Sequence, residues 1–187
     1  MKRAMVLLAG SVLILALVPG AAAVEPKDLS DEAPAPEKLI YDAASALEFF
    51  KSLSGDWKSV SDGNEHGANY PTSSFEVVAA GSTVIQTVLE GQPNEMASIF
   101  HMDGDDLLLT HYCALENAPV LRFEESGTPG LLKFVFHGGT NFDPAVDAHF
   151  HEGTFVVKDK DTVESTFVVF AGGEVQSEGR SVMVRSE

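Results

Sequence analysis

The sequence predicts an all-β fold, an up-and-down antiparallel barrel of about ten strands preceded by one short helix. Three observations carry this reading. From Gly55 onward the chain is a succession of short runs rich in β-branched and aromatic residues. Gly, Asp-Gly and Pro punctuate these runs at intervals of about ten residues. Ahead of them only one segment, Leu39 to Leu53, has helical periodicity without an interior Gly or Pro.

The first residues predict an export signal. Met1-Lys2-Arg3 is a short basic start, Val6 to Val18 is almost uninterruptedly apolar, and Pro19-Gly20 leads into the small residues Ala21-Ala22-Ala23. This is the pattern of a secretory signal peptide over residues 1–23, cleaved after Ala23. The apolar run falls short of the roughly 20 residues that a membrane span needs. A lipoprotein anchor requires a cysteine at the cut, and the single cysteine is Cys113. The expected product is a periplasmic or secreted protein without a stable membrane anchor. Cleavage removes Lys2 and Arg3 and no acid, taking the formal net charge from −16 to −18. Such a surface repels nucleic acid and anionic headgroups, and leaves neutral or cationic small molecules as partners. One cysteine forms no internal disulfide, so packing must hold the fold.

Residues 24–38, rich in Pro, Ala, Asp and Glu, are expected to form a flexible spacer. Residues 39–187 then form the domain. In the helix, Leu39, Ile40, Ala43, Ala44, Leu47, Phe50 and Leu53 lie close to a 3.6-residue period and are expected to cover one end of the barrel. Strands are expected near 55–61, 73–80, 82–90, 96–102, 105–114, 119–125, 130–137, 149–158, 162–170 and 175–185. Ala80-Gly81, Asp103-Gly104-Asp105, Thr128-Pro129-Gly130, Asp159-Lys160-Asp161 and Gly172-Gly173 sit where adjacent strands would reverse. Barrel closure removes the edges that so many strands would expose, and a sandwich is the second architecture.

Alternation says which side chains share a face. Leu107, Leu109, His111 and Cys113 oppose Leu108, Thr110 and Tyr112, and both sets are partly apolar. His149, His151, Gly153, Phe155 and Val157 form one set, whose apolar continuation makes it the better candidate for the interior.

Gly55-Asp56-Trp57, just after the helix and opening the first strand, resembles the Gly-x-Trp signature of lipocalins and related calycin barrels. The resemblance implies that Trp57 plugs the closed end and that a late-strand arginine, Arg180 or Arg185, packs across it. Glu95-Met96, His101-Met102-Asp103-Gly104-Asp105, Leu109 to Cys113, and Gly138 to Pro144 followed by His149-x-His151 resemble bacterial lipocalin-like proteins largely without assigned function. Tyr70-Pro71-Thr72 gives a thinner similarity to nitrobindin-type haem-binding barrels. Those take their axial histidine from near the C-terminus, where this chain has no His beyond His151, so haem would need a different ligand.

Chemistry-bearing residues concentrate between His101 and His151. His101, His111, Tyr112, His137, His149 and His151 are the candidate ligand-binding residues, since histidines on several strands of a barrel can converge on one cavity. His149 and His151, two apart, suit a divalent ion such as zinc, with His111 first among the candidates for a third ligand, ahead of His137, His101, Asp103 and Glu152. The spacing matches no recognised metal signature, and ordinary hydrogen-bonded histidines are the competing reading. Cys113 shares the face of His111, with Asn117 nearby. Strand neighbours two apart lie about 6–7 Å apart and point in parallel, which favours a buried small hydrophobe over a nucleophile. Asp103, Asp105 and Asp106 lack the ligand spacing of a calcium loop and read as a hairpin turn. Gly138 to Ala148 is expected to lie over a barrel mouth. The function expected is the binding of a small hydrophobic molecule inside the barrel, with a histidine-bound metal or haem as an added feature. An enzyme with a His-lined cavity, a metal-assisted hydrolase or isomerase, is the alternative, and a filled barrel of structural role the third.

Overall fold

The structure, a computed structural model, describes residues 34–60 and 71–186. The expected signal peptide, residues 24–33 of the spacer, and Tyr70 lie outside the described residues. Among the described residues no helix is long and apolar enough to cross a membrane.

The fold begins earlier and the helix later than the periodicity predicts. Pro36–Lys38 form a single 3₁₀ turn, and Leu39 to Tyr41 run extended. The end of the expected spacer therefore belongs to the folded unit. The helix α1 spans Ala43–Ser52 because Asp42 caps it: the Asp42 carboxylate accepts from the Ser45 N–H at 2.8 Å, and the Ser45 hydroxyl accepts from the Asp42 N–H at 3.0 Å. This reciprocal box satisfies donors that the first turn would otherwise leave unpaired. Its buried face, Ala46, Leu47, Phe49 and Phe50, enters the barrel. The Phe50 ring stacks on Phe100 at 4.0 Å and meets Phe155 edge-on at 5.0 Å.

Ten strands follow: β1 (Gly55–Ser59), β2 (Pro71–Val78), β3 (Thr83–Val88), β4 (Met96–Asp103), β5 (Asp106–Tyr112), β6 (Ala118–Glu124), β7 (Leu131–Thr140), β8 (His149–Asp159), β9 (Thr162–Ala171) and β10 (Glu174–Arg185). Each pairs antiparallel with its sequence neighbours, and β10 pairs with β1, closing the barrel. The expected hairpin at Asp103-Gly104-Asp105 joins β4 to β5, with Gly104 in the left-handed region that such a turn needs.

Burial settles the faces. On β5, Leu107, Leu109 and His111 point inward, leaving Leu108, Thr110 and Tyr112 outside. At the end occupied by α1, Trp57 is fully buried, and its indole N–H donates to the Leu53 carbonyl at 2.7 Å. The Arg185 guanidinium lies 4.6 Å over that ring and donates to the carbonyls of Ser52 and Ser54 and to Asp161. Of the two arginines expected near Trp57, Arg185 is therefore the one present. Arg180 instead holds Glu164 at 2.7 Å, because register places Arg185 opposite Trp57 and Arg180 opposite Thr166.

Gly130 pins the N-terminal segment to the barrel. Its N–H donates to the Leu39 carbonyl, and its carbonyl accepts from Val157, both at 2.8 Å. It adopts φ +72°, and a Cβ there would approach the Glu37 carbonyl oxygen to 2.9 Å. Gly130→Ala is expected to lower the unfolding free energy by about 2 kcal/mol, a loss that urea titration would measure.

Candidate functional site

The interior changes character away from α1. Around Phe50 it is aromatic and aliphatic throughout, but farther along β1 to β5 it carries a row of small polar groups: Ser59, Ser73, Gln86, Ser98 and His111, all buried. Register makes the row continuous, with Gln86 directly across from Ser98 and Ser98 directly across from His111. Directly opposed residues of an antiparallel pair share a face, so these side chains are immediate neighbours. Gln86 donates from Nε2 to the Ser73 hydroxyl at 3.0 Å, and Ser98 Oγ bonds His111 Nδ1 at 2.9 Å. Burial pushes the His111 imidazole down to about 4, because the charged form loses its hydration there. At neutral pH it is an uncharged donor and acceptor.

Two phenylalanines face this row from the other side of the ring. Phe150 of β8 meets His111 edge-on at 5.2 Å between centroids. Its ring lies over Gly153, where a Cβ would come within 2.7 Å of it, so the glycine makes room for the aromatic wall. Phe167 of β9 pairs directly with the buried Gly153 and alternates with the core residue Val163, which places it on the inner face. It is nevertheless 45% exposed. In the closed order β9 stands five strands from β4, hence across the barrel from Ser98. The inner wall is thus polar on one side and aromatic, partly bare, on the other.

The histidines do not converge on this interior. A bulge between Phe150 and Glu152 adds one residue to β8. It turns Phe150 inward and puts His149 beside Phe170, on the other face. The expected inward set keeps Gly153, Phe155 and Val157 and loses both histidines. Pairing between β7 and β8 ends at Val135↔Glu152, above which the strands part. Rings fill this seam: His151 is stacked between Phe170 at 3.9 Å and Phe136 at 5.0 Å, and His149 packs against Phe136 and Phe142. His149 Nδ1 donates to the Asp147 carbonyl at 2.9 Å, which leaves its Nε2 to accept from His151 Nδ1 at 3.0 Å. Burial, then repulsion from His149, lowers the pKa of His151, with Glu152 acting in the opposite direction.

This geometry corrects the metal expectation. His149 and His151 turn nitrogens toward each other, and His111 belongs to the interior row. Among the described residues no three His, Cys, Asp or Glu side chains assemble a metal site. His101 follows the inward Phe100, so it lies on the outer face, where Nδ1 donates to the Met102 carbonyl. His137 is exposed at a bulge of β7 opposite Val120 and Leu121. Tyr112 lies outside, half exposed. Cys113 falls past the end of β5 in a turn, its N–H bonded to the Asn117 carbonyl, so it no longer shares the face of His111.

The expected loop after β7 is shorter, residues 141–148, since β7 runs on to Thr140. It borders two open clefts on the rim, of about 420 and 340 Å³, which share Glu116, Asn117 and Asn141. Asn117 donates to the Ala148 carbonyl, tying the two rim loops together.

The residues the sequence reading missed are Ser73, Gln86, Ser98, Phe150 and Phe167. A signal existed for the first three: Ser73-x-Phe75, Val84-x-Gln86 and Ser98-x-Phe100 each set one polar residue in phase with a large apolar one. Comparison with protein-family models finds no match, and comparison with curated proteins finds none.

Proposed function

We propose that the protein is an exported barrel that binds a small hydrophobic molecule in its interior, of the lipocalin-like kind. The observation that carries this reading is Phe167, an inward-facing phenyl ring left 45% exposed in a closed barrel. A filled interior covers such a ring, since bare aromatic surface costs about 25 cal/mol per Å². The polar row opposite supplies the few directional groups that orient a ligand in an apolar pocket. Gly55, Trp57 and Arg185 close the far end, and the signal sequence supports export. The enzyme reading has less behind it, because of the five histidines from His101 to His151 only His111 belongs to the interior polar row.

The neutral dye Nile red tests the reading. Saturable binding is expected, about one dye per chain, with affinity falling about tenfold in Phe167→Ser. Native mass spectrometry of the protein as purified is expected to find a small organic molecule bound. A barrel that takes no dye, carries no molecule and loses stability in Phe167→Ser is a filled one.

A further inference from the structure

The charge of the ligand follows from where the basic side chains are. Of the 12 Lys and Arg in the chain, Lys2, Arg3 and Lys27 precede the described residues. Residues 61–70 hold no lysine or arginine, and their one histidine is His66. Lys38 and Lys51 belong to the segment that closes the α1 end, and Lys51 pairs with Glu48. Lys58 lies between the inward residues Trp57 and Ser59, and Arg122 between the inward Leu121 and Phe123, so both point outward. Lys133 reaches Glu124 and Glu152 on the outer face. Lys158 and Arg180 share Glu164, Lys160 sits in the β8–β9 turn, and Arg185 is committed to Trp57 and its carbonyls. Among the described residues no lysine or arginine reaches the row from Ser73 to His111.

The row itself is open at two atoms. Gln86 Oε1 and His111 Nε2 take no part in the hydrogen bonds of their residues. Neither is sealed from solvent, since among the described residues the sealed side-chain polar atom without a partner is Asn117 Oδ1. An amide oxygen accepts and cannot donate, so it calls for a donor on the ligand. A carboxylate would bring lone pairs against that oxygen, with no cation to offset its lost hydration.

We infer that the barrel selects an uncharged amphiphile, an apolar body ending in a hydroxyl or primary amide, and discriminates against carboxylates of the same length. The inference rests on the interior-binding reading above. His111 does not rescue the anion: with its imidazole at about 4, only about one molecule in a thousand is charged near pH 7. The negative net charge of the chain adds a repulsion that acts at a distance.

Displacement of Nile red by decan-1-ol, decanamide and decanoate near pH 7 decides it. The alcohol and amide are expected to displace the dye at concentrations at least about tenfold lower than the carboxylate. Gln86→Leu is expected to weaken decan-1-ol about tenfold relative to the dye affinity of the same variant. Decanoate competing as well as the alcohol would overturn the inference and leave interior binding intact. An unchanged affinity for decan-1-ol in Gln86→Leu would overturn the role of the row. A protein that takes neither dye nor any of the three compounds would overturn both readings.

Discussion

Phe50→Ala is expected to lower the unfolding free energy by about 4 kcal/mol. Phe50 is fully buried and packs on three strands at once: stacked on Phe100 of β4 at 4.0 Å, edge-on to Phe155 of β8 at 5.0 Å, and tilted against Phe134 of β7 at 5.8 Å. Removing the ring forfeits its transfer free energy and opens a void whose walls belong to different strands and cannot close together. Aromatic pairing adds about 1 kcal/mol per well-placed contact beyond the area lost. The loss is a large share of the roughly 5–15 kcal/mol that holds an ordinary domain. Thermal unfolding should fall by about 10 °C. Glu48→Ala, on the exposed side of the same helix, should change stability by less than about 0.5 kcal/mol, which separates plug packing from helix propensity.

Acidification is expected to remove about 3 kcal/mol of stability through His111 alone. The folded barrel holds this imidazole neutral down to about 4, whereas the unfolded chain takes up the proton at the ordinary value of 6.5. Between those values the unfolded state binds more protons, so stability falls as pH drops through the window. Above 6.5 the contribution is constant, and below about 4 it stops growing. His151, also lowered, acts in the same direction, and Glu164, held down to about 2 by Arg180 and Lys158, adds its own loss as pH falls from the ordinary value of 4.5 toward 2. The difference between the native chain and His111→Gln isolates the one group. Urea unfolding near pH 7 and near pH 4 should show the two proteins diverging by about 3 kcal/mol, the native chain losing more.

The strand order was legible because turn chemistry is local. Asp-Gly and Gly-Gly demand φ values that few other residues tolerate, so Asp103-Gly104-Asp105 and Gly172-Gly173 marked reversals to within two residues. The start of α1 was misread because Leu39 and Ile40 continue the helical period, while the start signal, the Asp42–Ser45 box, lay inside it. The faces were harder. Leu108 is as apolar as Leu107, so β5 alone does not reveal its inner side. The β8 bulge was not legible at all, since one extra residue leaves no compositional trace and inverts every side chain beyond it. That inversion moved His149 and His151 from the expected cavity to the seam between β7 and β8. Arg185 rather than Arg180 over Trp57 is likewise a matter of register, which pairing across the whole chain decides.

The bond from Arg185 to the Ser54 carbonyl joins residues 131 positions apart, and β10 completes the ring against β1. Closure therefore waits on the last strand to be synthesised. A nascent chain holds a β1 open on one edge and a Trp57 without its Arg185 until its final strand leaves the ribosome. So distant a contact makes folding slow, and the open sheet is vulnerable to pairing with other chains while it waits. A barrel built this way gains from being kept unfolded until it is whole.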